Sequence, residues 1–237
     1  MTARDLSAGH LAIVAAFRRE VSELLRRQPQ VSRLGNHCFR FELKGVPVVL
    51  AIAGAGRENA YRAACDLNRE FLVTGLVSIG FAGGLRESVR AGELVLAEEV
   101  IEGATGERYP CHAGLLPIDS AVQGSLLSAA TVVISPDEKR ALERRWGAIA
   151  VDMESGGVAR ASKELGVPFA ALKSITDVSD QSIAIDFQRC RSDDEGLSSW
   201  KIVREGMANP RGLRDLWRLA GSSRRAAGKL ALALCSV

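Results

Sequence analysis

Residues 148–180 read AIAVDMESGGVARASKELGVPFAALKSITDVSD. Two short apolar runs, Ala148–Val151 and Phe169–Ile175, flank an amphipathic stretch, Ser155–Leu165. Gly166 is placed to stop that helix, and Pro168 starts the next strand. Both runs are apolar on each face, as in central strands covered by helices on either side. Strand, helix and strand in succession indicate an α/β fold. Ligands of open α/β sheets bind outside the carboxyl ends of the strands, where Asp152-Met153-Glu154 and Thr176-Asp177 fall.

Working outward, the same alternation recurs. Strands are expected at Leu11–Ala16, Cys38–Leu43, Val46–Ala53, Leu76–Gly80, Leu94–Ile101 and Thr131–Ile134. Helices are expected at Arg18–Arg27, Glu58–Glu70, Pro136–Trp146 and over much of Trp200–Leu234. The helix at 136 has a start signal: Ser135 caps it, Pro136 fits its first turn and Glu138 completes a capping box. The pattern predicts an α/β fold with a mostly parallel sheet. We read one domain over 1–237, with a basic helical extension at about 198–237.

Composition excludes several classes of function. No stretch approaches the roughly 18 apolar residues of a spanning helix, and no signal peptide is apparent, so a cytoplasmic location is expected. The five cysteines (Cys38, Cys65, Cys111, Cys190, Cys235) form no CxxC pair, and His10, His37 and His112 are dispersed. Neither a metal site nor a disulfide framework is expected. Net charge is +3, and residues 198–237 hold eight basic groups against two acidic ones. The body is therefore slightly acidic, and with aromatics at 5% it lacks a nucleic-acid-binding profile.

Three glycine-bearing segments stand at expected strand ends: Ala53-Gly54-Ala55-Gly56-Arg57, Gly80-Phe81-Ala82-Gly83-Gly84 and the turn Arg90-Ala91-Gly92-Glu93. Each reads either as a tight strand-to-helix turn or as a loop that exposes N–H groups to a ligand. Taken singly, the carboxylates are equally open. Glu20 could be solvated at a charged helix start, Asp177 could be a cap, Glu154 could favour a helix dipole, and Met153 could be core.

Taken together they resemble the purine nucleoside phosphorylase/nucleosidase superfamily, and within it the 5′-methylthioadenosine/S-adenosylhomocysteine nucleosidases. Segments Ile13–Leu25, Val77–Val100 and Ile149–Asp180 carry the likeness. Its specific motifs are Gly80-x-Ala82-Gly83-Gly84-Leu85, Gly92-Glu93-Leu94-Val95 and Asp152-Met153-Glu154-Ser155. The chain is also similar to hopanoid-associated phosphorylases in Val151–Ser155, in Pro168–Asp180 and in its basic tail after Pro210.

The resemblance implies a three-layer fold whose mixed sheet is flanked by helices, and cleavage of a purine N-glycosidic bond without a cofactor. Under it, Glu154 binds the ribose 2′ and 3′ hydroxyls, Met153 packs under the sugar, and Asp177 protonates N7 of the leaving purine. Glu20 activates the attacking water. Gly80 and Phe81 stand on the substrate side, and Val132 and Val133 line the base pocket. A homodimer or larger homo-oligomer is implied as well. The two carboxylates must divide their roles: Asp177 protonated through burial, Glu20 ionised.

Several positions depart from the family pattern. Phe81 stands where a serine is common, Ser78 where phosphorylases carry an arginine, and Ala15 where their phosphate loop has glycine. Arg19 alone matches a phosphate-binding arginine, and a phosphate dianion needs several convergent donors. Water is therefore favoured as nucleophile, with inorganic phosphate as co-substrate in the alternative. Lys173 replaces an arginine whose planar fork could position Asp177, and Thr176 replaces a serine. A non-catalytic nucleoside-binding protein would keep the pocket and lose Glu20 or Asp177, and both persist.

The tail leaves two readings open. Leu213, Leu216, Trp217 and Ala220 fall at helical spacing among Arg211, Arg214, Arg218, Arg224 and Arg225. Such a helix either lies on an anionic membrane surface or packs its apolar stripe on its own core.

Overall fold

Strand β1 (Asp5–Ala15) shows how the sheet is covered: Ala12 and Val14 point into one apolar layer, Ile13 and Ala15 into the other. All four are essentially buried, so the strand must lie between two helical layers. The computed structural model describes residues 5–181 and 210–236, with side chains described for 9–181 and 221–236. After β1 come α1 (Arg18–Arg27), β2 (Ser32–Arg33), β3 (Cys38–Leu43), β4 (Val46–Ile52), α2 (Arg57–Glu70) and β5 (Phe71–Gly84). They are followed by β6 (Leu94–Glu102), β7 (Arg108–Pro110), β8 (Val122–Ser128), α3 (Pro136–Trp146) and β9 (Ala150–Asp152). The last elements are α4 (Ser155–Leu165), β10 (Phe169–Asp177) and α5 (Pro210–Ser236).

The sheet is mixed. Parallel ladders join β4 to β1, β1 to β5, β5 to β10, β6 to β8 and β8 to β9. Antiparallel ladders join β10 to β6 and β5 to β9, so β5, β10, β6, β8 and β9 close into a ring. Helices α2 and α4 cover one face through Ala60, Ala64, Leu67, Val158 and Ala161. Helix α1 covers the other through Val21 and Leu24, joined by Leu230, Ala231 and Leu234 of α5. This is the three-layer α/β arrangement.

Two expectations need correction. Thr131–Ile134 is not a strand: that place in the sheet is taken by β8, between β6 and β9. The sequence of β8, VQGSLLS, reads as polar because only its last three residues are buried. Gly124 is needed there, since a Cβ would lie 2.9 Å from Ile149 Cδ1. The apolar 131–134 run instead leads irregularly into Ser135, with Val133 buried against Leu85, Ile101 and Leu127. Secondly, β5 begins at Phe71 and ends at Gly84, well beyond Leu76–Gly80 at both ends.

The start and stop signals act as read, except that the exposed Glu138 carboxylate makes no return bond to the Ser135 N–H among the described hydrogen bonds. Ser135 Oγ accepts the Glu138 N–H at 3.1 Å, and Pro136 occupies the first turn. Gly147 and Gly166 close α3 and α4 in the left-handed region, both at φ 68°. In α5, Ala226, Ala227, Leu230, Ala231 and Leu234 face the core while Arg224, Arg225 and Lys229 face solvent. That half of the tail packs its stripe on the body. Leu213, Leu216, Trp217, Ala220, Arg211, Arg214 and Arg218 lie outside the described side chains. Among the described residues, no helix is long and apolar enough to cross a membrane.

Gly157 gives a direct test of the α2–α4 contact. A Cβ there would lie 2.0 Å from the Arg57 carbonyl oxygen and 3.0 Å from the Tyr61 nitrogen, both backbone atoms. Gly157→Ala should therefore cost about 3 kcal/mol, the upper end of ordinary overpacking. Gly228 of α5 has nothing within 4 Å of the same position, so Gly228→Ala should stabilise by about 0.5–1 kcal/mol. Urea midpoints of the two variants measure the contrast, and a neutral Gly157→Ala would refute the close packing.

Candidate active site

Strands β1, β4, β5 and β10 are parallel neighbours, so their carboxyl ends open on one side of the sheet. Glu20 and Glu154 lie within one electrostatic neighbourhood there, while Asp177 stands at the end of β10 among other partners. Glu20, in the first turn of α1, is only 4% exposed. Its Oε2 accepts the Phe17 N–H at 2.8 Å, which caps the helix, and its Oε1 accepts the Phe81 N–H at 3.2 Å. A Cβ on Gly80 would stand 2.8 Å from Oε1, so glycine is what lets this carboxylate reach the strand. Burial pushes the Glu20 carboxyl up, opposed by the Phe17 N–H, Lys173, the Phe81 N–H and Arg19.

Glu154 forms the N-cap of α4, where its Oε1 accepts the Gly56 N–H at 2.7 Å. Gly54 and Gly56, at φ 85° and 100°, allow the turn after β4 to aim that N–H. Burial, then the Asp152 carboxylate, push Glu154 up to about 7; Glu20 adds to this, while Lys173 and the Gly56 N–H oppose it. Met153 beside it is half-buried.

Between these carboxylates lies a network that sequence reading missed. Lys173, 1% exposed, donates to Asp152 Oδ2 and to Ser78 Oγ, each at 2.9 Å. Ser155 Oγ reaches Asp152 Oδ2 at 2.6 Å and Ser78 Oγ at 3.1 Å. Lys173 therefore serves Asp152 and Ser78, and not Asp177 as its place before Asp177 suggested. Its side chain points to the β5 and β9 side of β10, where Ser78 and Asp152 are its partners. The serine replacing a phosphorylase arginine is the one signal that could have exposed this pairing.

Asp177 ends β10 and is 7% exposed. Its Oδ2 meets the ammonium of Lys139 at 2.5 Å, and Thr176 Oγ1 donates to its Oδ1 at 3.0 Å. Gly83 beside it is bare, and a Cβ there would lie 3.1 Å from Oδ2. Burial alone is thus not the environment of this carboxyl, as the sequence led us to expect. It shares a buried ion pair.

A profile described as the phosphorylase superfamily matches residues 10–122 and 111–195. The chain belongs to the phosphorylase superfamily. It is 22% identical over 207 residues to a 5′-methylthioadenosine/S-adenosylhomocysteine nucleosidase of Oceanobacillus iheyensis, covering 76% of this chain and 90% of that one. Solved structures share the fold. The Neisseria meningitidis 5′-methylthioadenosine/S-adenosylhomocysteine nucleosidase bound to methylthio-immucillin-A superposes with a TM-score of 0.72 at 20% identity, covering 97% of this chain and 100% of that one. Futalosine hydrolase of Helicobacter pylori gives 0.70 at 17% identity, with 97% and 98% covered.

Within this superfamily fold, the remaining expected residues are placed unevenly. Phe81 is half-buried against the α1–α5 layer, following Gly80 on β5. Val133 is turned into the core, leaving Val132 half-buried. Arg19 is exposed, its guanidinium 5.0 Å from the Phe17 ring. No second cation joins it there among the described ion pairs and ring contacts.

Glu154 makes stability depend on pH. Its folded carboxyl is raised from an ordinary value near 4.5 to about 7, so between those values the folded chain holds a proton that the unfolded chain has lost. Stability from this group is then present at low pH and falls as pH rises through about 7. Denaturant unfolding of wild type and Glu154→Gln at pH 5 and pH 8 should show the wild type losing more stability over that interval. Equal losses would show that Glu154 is not the titrating group.

Proposed function

We propose that this protein hydrolyses the N-glycosidic bond of an adenine nucleoside with a modified 5′ position, releasing the free base. That it is an enzyme acting on nucleosides agrees with its superfamily and with the nucleosidases among its relatives. The observation that carries the choice of water is the placing of Glu20: a buried carboxylate beside Gly80 and Phe81 of β5 with Lys173 in its field, while Arg19 lies outside on Phe17. An anionic co-substrate would need converging donors. Ser78, where a phosphorylase arginine would stand, is instead held by Lys173 and Ser155.

In this reading Glu154 accepts the ribose 2′ and 3′ hydroxyls and Met153 packs under the ring. Glu20 takes a proton from water as the C1′–N9 bond opens; burial, the largest influence, raises its carboxyl and so strengthens it as a base, while Lys173 and two backbone N–H groups oppose that rise. Asp177 hands a proton to N7, improving the leaving group of a cationic, ribosyl transition state. Phe81, apolar where a serine is common, suits a 5′ group of low polarity. We also take the active form to be a homo-oligomer, checked by light scattering. The test of the reaction is product analysis of 5′-methylthioadenosine turnover with and without inorganic phosphate. Free adenine with a free sugar in both supports hydrolysis; a sugar 1-phosphate formed only with phosphate would overturn it.

A further inference from the structure

We propose that Lys139 is the proton source for Asp177, a positioning residue that lies outside the segments carrying the family likeness. The inference rests on the nucleoside-cleaving reading above. Lys139 is completely buried, its ammonium 2.5 Å from Asp177 Oδ2 and 2.7 Å from the Val178 carbonyl, with the Gln181 carbonyl at 3.5 Å. A buried pair of this kind adds little stability over apolar residues of the same size, so folding alone gives no reason for it. Asp177 is its only ion-pair partner among the described residues.

Other groups around the pair are few. From β10 it meets Asp177 and the Thr176 hydroxyl; the following turn offers two carbonyls, with Asp180 exposed. From β5 come Gly83 and Gly84, which have no titratable group, and on α3 the neighbouring Glu138 and Arg140 face solvent. A carboxylate beside an ammonium has no proton of its own to give, whereas the purine must receive one. The pair together holds it.

The step balances. As the C1′–N9 electron pair withdraws into the purine, an N–H bond of Lys139 breaks and an O–H bond forms on Asp177. Asp177 passes its proton to N7 and returns to carboxylate. Lys139, left as a neutral amine, regains a proton from solvent, matching the one that the attacking water gives to Glu20.

Lys139→Arg tests this, because guanidinium keeps the charge and the ion pair but does not release a proton. Two substrates separate the steps: 5′-methylthioadenosine, which needs a protonated leaving group, and 4-nitrophenyl β-D-ribofuranoside, whose phenolate leaves without one. The variant should lose about 10²-fold or more in kcat for adenine release, with KM little changed and riboside cleavage retained. Near-normal adenine release by Lys139→Arg, or equal loss on both substrates, would overturn the role of Lys139. A wild-type protein that opens neither substrate would instead overturn the N-glycosidase reading itself.

Discussion

Asp177→Asn should abolish purine release while nucleoside binding stays within a few-fold of wild type. The amide keeps one acceptor oxygen for the Lys139 ammonium, and its NH2 can be accepted by the rotatable Thr176 hydroxyl, so the shape of the site survives, but it has no acidic proton to deliver. The loss expected for removing a positioned general acid is about 10²–10⁴-fold in kcat. Because the bond to the Lys139 ammonium weakens from ion pair to ion–dipole, the variant should also melt earlier than wild type. Calorimetric binding and single-turnover base release, both measured well below the melting temperature, separate these effects. A variant with near-normal turnover removes Asp177 from the mechanism. The 4-nitrophenyl riboside should remain a substrate of Asp177→Asn, since its departure asks for no acid.

Glu20→Gln is expected to cost about 10²–10⁴-fold if water is the nucleophile. Glutamine preserves the volume between α1 and β5 and one of the two acceptors, so the variant loses the base together with one bond to the Phe17 or Phe81 N–H, and its melting temperature is measured beside its turnover. The contrasting variant is Arg19→Ala. Arg19 is exposed and stacked on Phe17, and its removal should leave hydrolysis almost unchanged. The opposite pattern, a tolerant Glu20→Gln and an Arg19→Ala that raises the KM for phosphate, would make phosphate the nucleophile. Both variants are read in the same assay of free sugar against sugar phosphate, with nucleoside saturating.

What the sequence by itself determined is local in character. The strand–helix–strand pattern of 148–177, the Ser135-Pro136 start of α3 and the Gly147 and Gly166 stops depend on neighbours along the chain, and each stands within two residues of where it was read, while the opposite directions of β9 and β10 were set by the sheet. That Glu20 and Glu154 share one neighbourhood was legible only through the family likeness, since no spacing relates them. The length of β5 was not legible, because its glycines read as an ending. They are there since Gly80 and Gly83 leave room for the Glu20 and Asp177 carboxylates beside an unbroken strand.

The tertiary structure alone decided the partners of the charges. Ser78 and Lys173 are 95 residues apart, and Lys139 and Asp177 are 38 apart. On α3, Lys139 sits among Asp137, Glu138 and Arg140, and nothing local marks it as the member that turns inward. Helical phase and the docking of α3 against the end of β10 make that choice. In a buried site an ammonium must find its carboxylate or be expelled. Which carboxylate it finds is set by strand order and register, and so Asp152 took Lys173 and Asp177 took Lys139.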